Sequence, residues 1–496
     1  MIAAAFVAYL ALLWEREGVN AGGSDSSGYA NNAKLLREGR LFAEQRRLPG
    51  VEGPTATYTY VPLGFVPAGE GRMAPTYPLG LSALYVAASL GGPLDRGMPL
   101  AIWAMAGASL LATYGLARQF DLAPGWAALC GGVLAACPLF QYMALQGMSD
   151  MPAMLWAMLV LMLAWASRRR RWLAPVAGLV FAVTVFLRPS NALLLLPLAW
   201  AFGLDWRRWL GFGLGGLPGG LLWAWCNHEL FGRYVATGYG AVHLMFGREW
   251  IAPSLRNYAE TLPWLLPLGL FLPFGLRRAE WPPERRAVLG LALTWIVVCA
   301  GFYVFYRCTG EVWWYLRFIL PVFPFLIVLS VIGLRSVVAR LRGAAPSPWR
   351  AWTVGVAAVV TVGASGVAQT VAGKRWDALG IGVSDRIYPE VCDWTVRHLP
   401  AESVLFSMQV SGALFYAVPN IVVRWDDPRP DQLRALYAAA AREGRPVYAV
   451  LFPFEIEDWG CFSKGRLPGR WTQVGAVRHI TIWRLDDPAG TMEPPR

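Results

Sequence analysis

Charge is scarce in this chain. Of 496 residues only 15% are Asp, Glu, Lys or Arg, against about 25% in soluble domains. With a mean hydropathy of +0.40, that deficit excludes an ordinary soluble enzyme. Strand alternation at barrel period is also missing, and the apolar runs have helical lengths, so the class is a polytopic helical membrane protein. The seven cysteines show no CxxC spacing. Cys130, Cys137, Cys226 and Cys299 fall in or beside apolar runs and read as packing residues. Cys392 and Cys461 lie in the polar tail, and whether they pair is left open by the sequence. Only four histidines occur, without HExxH or His–Cys spacing, which argues against a dedicated zinc site. The tail has no Walker motif and no GxGxxG, and the two halves of the chain show no internal repeat. The first two absences leave the tail without nucleotide chemistry. The third weakens the alternative that the chain is a lipid or glycan transporter or flippase.

What is present is arginine, and its placement is informative. The net charge of +12 does not indicate nucleic acid, because the arginines lie between apolar runs. Candidate crossings fall near 2–15, 98–117, 124–143, 150–167, 173–187, 190–204, 209–226, 261–276, 286–306, 316–334 and 351–371, about eleven in all. The first, "MIAAAFVAYLALLW", lacks the basic n-region of a signal peptide and reads as a short transmembrane helix. Alternate loops hold fifteen arginines against five, and the positive-inside rule puts the richer set in the cytoplasm. The outer loop 15–76 and the tail then face outside, provided that "YPLGLSALYVAASLGG" (77–92) is a juxtamembrane or re-entrant segment. From about 373 the pattern changes. "SVLFSM", "NIVVRW", "PVYAVLF" and "RHITIWRL" read as strands, and "SGALFYAV" and "PDQLRALYAAAAREG" as helices, which predicts a small extracytoplasmic α/β domain over 373–496.

With this topology the unusual polar clusters gather on the outer face. Asp25, in "GGSDSSGYANNAKLLREG", fits a helix cap before a helix from about 26 to 38. It equally fits a carboxylate presented at the membrane surface, and the two readings are compatible. Asp150, just before Met151–Pro152, fits helix-start grammar as well. Arg188 in "LRPSN" and Arg317 in "WWYLRFILP" stand where charge is costly, about 2.5–3.5 kcal/mol in the apolar core. Each therefore either snorkels to the interface or faces a cavity or partner.

"SDSSGYANNAKLLREG" resembles the first outer loop of the GT-C glycosyltransferases, in which an acidic residue past the first crossing precedes a Tyr and an Ala, here Asp25, Tyr29 and Ala33. "APTYPLG" (74–80), "SDMPA" (149–153), "LRPSN" (187–191), "NHELFGRYVATGY" (227–239) and "RFILPVFP" (317–324) resemble later segments of bacterial members in order. These members include the branch of protein O-mannosyltransferases and lipid A aminoarabinose transferase. The ordered match spans roughly 1–335, within a transmembrane catalytic domain over 1–372. The resemblance implies sugar transfer from a polyprenyl-phosphate donor to an acceptor hydroxyl on a glycan, lipid or protein, with inversion, at the outer face of a bacterial plasma membrane. It makes Asp25 the catalytic base and Arg188 and Arg317 the donor-phosphate contacts. Tyr29, Tyr77, Asp150, His228 and Tyr239 become substrate-facing positions. Many relatives follow the first acid with Glu, whereas this chain has Ser26. No cofactor is therefore expected, although a divalent metal bridging Asp25 and Asp150 stays open because some relatives use one.

Overall fold

The computed structural model describes residues 2–51, 55–344 and 347–490. The first half is helical: α1 (Ile2–Glu15), α2 (Asp25–Arg37), α3 (Leu79–Ser89), α4 (Leu94–Gln119), α5 (Pro124–Ala136), α6 (Pro138–Met143), α7 (Asp150–Ala166), α8 (Leu173–Leu187), α9 (Leu195–Phe202) and α10 (Trp206–Phe231). It continues through α11 (Ile251–Leu265), α12 (Leu272–Gly275), α13 (Arg286–Val304), α14 (Phe323–Arg342) and α15 (Pro348–Arg375). Three short strands, β1 (Ala43–Glu44), β2 (Phe65–Pro67) and β3 (Arg72–Pro75), make an antiparallel sheet in the first loop, in the order β1-β3-β2. That sheet was not visible in the sequence, since strands this short carry no periodicity to read.

Among the described residues, four helical runs are long and apolar enough to cross a membrane: Leu94–Gln119, Arg286–Val304, Trp313–Arg342 and Pro348–His398. Two of the expected crossings are not continuous helices. In 124–143 the chain turns extended at Cys137 before Pro138, and in 261–276 it leaves the helix at Leu266 before Pro267. Proline cannot donate the helical bond and pushes the residue before it out of helical geometry. Segment 77–92 contains α3, only 11 residues long. At 1.5 Å per residue it spans about 16 Å, too little to cross a ~30 Å core.

The helices share a core in which Leu116, Met154, Leu161, Leu198, Trp295, Phe323 and Val328 are all but inaccessible. α8 and α10 approach closely, through glycines. A Cβ on Gly178 would lie 1.9 Å from the Phe212 carbonyl oxygen, and one on Gly215 would lie 1.9 Å from that of Pro175.

The tail contains α16 (Gly380–Asp385), α17 (Ile387–His398), β4 (Val404–Phe406), α18 (Ser411–Ala417), β5 (Ile421–Val423), α19 (Pro430–Arg442), β6 (Val447–Leu451), α20 (Pro453–Ile456), β7 (Arg470–Val477) and β8 (Ile480–Asp487). Its five strands form one mixed sheet in the order β5-β4-β6-β8-β7, with β4 parallel to both neighbours and β8 antiparallel to both of its own. Strand alternation sends Val404, Phe406, Ala449 and Leu451 to one face and Leu405 and Val450 to the other. The first face is closed partly by the distant loop: Leu48 and Tyr60 are buried in it, and the Arg424 amide donates to the Thr59 carbonyl at 2.8 Å. Cys392 and Cys461 lie in the clusters on opposite faces, and both are free thiols.

Candidate active site

The segment before α2 turns at Gly23, whose φ of +54° is the left-handed region open to glycine. Ser24 then takes the N-cap position and Asp25 becomes the first helical residue. The capping reading of Asp25 is therefore corrected: its carboxylate does not close on the helix. Oδ1 accepts a hydrogen bond from the Tyr77 hydroxyl at 2.6 Å, and Oδ2 pairs with Arg317 Nη2 at 3.0 Å. Tyr77 comes this close because residue 28 is glycine, where a Cβ would sit 2.4 Å from the Tyr77 ring. Burial, then the Asp25 charge, push the Tyr77 hydroxyl well above its ordinary pKa, so it remains a donor to Asp25. The Ser24 hydroxyl is 2.8 Å from the same phenol oxygen.

Asp150 repeats the pattern. It is the first residue of α7, behind Ser149 at the N-cap, and no side-chain cap forms. Its carboxylate accepts from Arg188 Nη2 at 2.5 Å. Arg188 precedes Pro189 and is extended, φ −152° and ψ 109°, as a residue before proline must be. That kink turns its side chain out of the α8 helix direction. The Asp150 side chain is 2% exposed and that of Arg188 13%, whereas Asp25 is 30% exposed beside Arg317 at 9%. Of the two carboxylates, Asp25 is the accessible one.

All four charged residues line one cavity of about 440 Å³. Tyr29, Tyr77 and Tyr239 line it too. The Tyr77 ring sits 5.1 Å from that of Tyr29 and 5.8 Å, edge-on, from that of Tyr239. Burial pushes the Tyr29 hydroxyl up to about 12. The remaining wall includes Ser149, Ser190, Thr237, Phe246, Phe302, Tyr303, Tyr306 and Phe318. The Arg317 guanidinium lies over the rings of Phe318 and Tyr315, at 5.1 and 5.5 Å, and contacts the Met148 thioether. Among the described residues, buried Arg188 Nη1 and Arg317 Nε have no hydrogen-bond partner.

His228 is the substrate-facing candidate that the fold places elsewhere. It is exposed near the end of α10, stacked on Tyr234 at 4.6 Å between ring centroids, and is not part of the cavity wall. Tyr303 and Tyr306, which do line it, were missed. Their i, i+3 spacing at the end of α13 was the available sign, but interfacial anchoring explains such tyrosines equally well. Ser190 was missed as well, although it lies inside "LRPSN" and its hydroxyl is 2.7 Å from that of Tyr303.

Two arginine–carboxylate pairs, in a pocket walled by loop residues and helix ends, stand within a helical fold that carries apolar runs of membrane-crossing length. Two solved structures share that fold over nearly their whole length, both of ArnT from Cupriavidus metallidurans. The one bound to undecaprenyl phosphate has a TM-score of 0.58 and 16% identity, covering 98% of this chain and 99% of that one. The apo form has a TM-score of 0.57 and 16% identity, covering 99% and 98%. No protein-family model matches the sequence, and no curated protein matches it either.

Proposed function

We propose that this protein transfers a sugar from a polyprenyl-phosphate donor to an acceptor hydroxyl, with Asp25 as general base. One observation carries the reading. A partly exposed carboxylate is held at both oxygens in a cavity whose two arginines keep buried N–H groups that no described residue accepts. An orphaned buried donor is costly, and a phosphate would satisfy both arginines through their planar forks. That one ArnT structure holds undecaprenyl phosphate in the same fold supports this class of donor.

The reaction asks little else of the protein. The acceptor oxygen attacks the anomeric carbon, its proton passes to Asp25, and the bond from the sugar to the phosphate oxygen breaks. The electron pair leaves with the polyprenyl phosphate, where Arg188 and Arg317 stabilise the growing charge. Attack opposite the leaving group inverts the anomeric centre. Each Asp25 oxygen accepts one hydrogen bond and has a further lone pair to receive the acceptor proton. Asp150 holds Arg188. Tyr29, Tyr77 and Tyr239 offer aromatic and hydroxyl contacts to the sugar. A hard divalent cation takes six or more oxygen ligands and a negative field. Here both carboxylates are already matched by arginines, and among the described residues no group of three His, Cys, Asp or Glu converges. The donor set does not suit such a cation, and no step runs through one. The arginine asymmetry of the loops supports a cavity at the outer leaflet, level with the donor phosphate.

The test is Asp25→Asn in proteoliposomes supplied with radiolabelled polyprenyl-phosphate sugars. We expect transfer to fall about 10²- to 10⁴-fold, the range for losing a general base, with insertion and thermal stability retained. Wild-type transfer by the Asn variant sinks the base assignment. Movement of donor across the bilayer without transfer would favour a flippase.

A further inference from the structure

The nine residues between α1 and the proposed base are gripped by the tail, some 370 positions further along the chain. α1 ends at Glu15, and a helix end leaves carbonyls without intrahelical donors. Arg386, at the boundary of α16 and α17, supplies them. Its Nε donates to the Glu17 carbonyl at 2.9 Å and its Nη2 to that of Glu15 at 3.1 Å. A cation at a helix C-terminus is also favoured by the helix dipole. One residue on, the two segments touch backbone to backbone: a Cβ on Gly18 would lie 2.3 Å from the Gly382 Cα. Two residues further, Asn20 Nδ2 donates to the Asp385 carbonyl at 2.9 Å and to that of Gly18 at 3.0 Å. The Asp25 carboxylate itself is held from the cavity side, by Tyr77 and Arg317.

We propose that Arg386 is a positioning residue for Asp25: by capping α1 from the tail it sets where the lead-in segment starts, and hence where the carboxylate stands. This rests on the reading of Asp25 as base. A catalytic group displaced by about 1 Å can lose about 100-fold in rate, so a brace on its lead-in acts on turnover rather than on donor affinity.

The experiment uses the full-length protein in proteoliposomes with a radiolabelled polyprenyl-phosphate sugar, alongside hydrogen–deuterium exchange. Arg386→Ala should lower kcat about tenfold or more, leave KM for the donor within about twofold, and raise exchange over residues 17–28. Arg386→Lys, which keeps the charge and one donor group, should give intermediate kcat. If Arg386→Ala does not insert, Asn20→Ala removes the next tie and should shift kcat and exchange in the same directions. Unchanged kcat, or unchanged exchange over 17–28, overturns the proposal, as does a loss expressed only in KM. Asp25→Asn, measured in parallel, reports on the base assignment separately, because the exchange readout does not depend on transfer.

Discussion

Asp25 and Asp150 stand in the same local setting, first in a helix after a serine, yet burial separates their roles. Asp150 is sealed against Arg188, so its main work is to keep a buried guanidinium paired. Removing one member of a buried ion pair typically costs about 3–5 kcal/mol, because the other is left uncompensated. Asp150→Ala should therefore lower the unfolding temperature in detergent by several degrees, whereas Asp25→Asn should not. Adding Arg188→Met to Asp150→Ala should restore much of the stability without restoring transfer, and thermal melts of the wild type and the three variants check this. Local sequence could not distinguish the two aspartates. Both obey helix-start grammar, and the partner that sets each role lies 38 or 292 positions away.

Among the elements, α8 and α10 depend on small residues. Gly178 and Gly215 bring the two backbones into contact, and α8 delivers Arg188 to the cavity from its last turn. Gly178→Leu cannot be accommodated without moving one helix. Overpacking of this kind costs about 1–3 kcal/mol, and here it should also shift Arg188. The expected result is a lower melting temperature together with weaker donor binding, measurable by titration with polyprenyl phosphate. The glycine-rich run "GFGLGGLPGG" is plain in the sequence, but the helix it packs against is not. The two proline breaks, before Pro138 and Pro267, were legible in principle. Hydrophobicity summed over a window concealed them, because an apolar run scores alike whether its backbone is continuous or broken.

Across the whole molecule, the loop and the tail are one structural unit around the sheet. Leu48 and Tyr60 complete a face of it, and Arg386 returns the contact to α1. Deep in that unit lies Glu455, whose carboxylate accepts from Trp425 Nε1 and from the Phe452 amide, each at 2.8 Å. Burial raises its pKa despite these bonds, which pull the other way. A carboxyl raised in the folded state binds its proton more tightly there than in the unfolded chain. Its contribution to stability is full below the ordinary glutamate value of 4.5 and is lost as pH climbs through the raised one. The melting temperature should thus fall over that window, and Glu455→Gln should flatten the slope whatever it does at a single pH. Melting curves from pH 4 upward decide it.

Composition and periodicity alone indicated a helical membrane protein with arginines concentrated in alternate loops, a polar tail built of alternating strands and helices, and the acidic and basic residues that merited attention. Those features are local: apolar surface, helix and strand period, proline and glycine each act within a few residues. Which carboxylate faces an open cavity, which arginine each one meets, that His228 stands apart, and that the tail grips the segment leading to Asp25 were decided only by tertiary structure. Each of those depends on electrostatic and steric contact between segments far apart in the chain, and the path of the folded backbone alone brings them together.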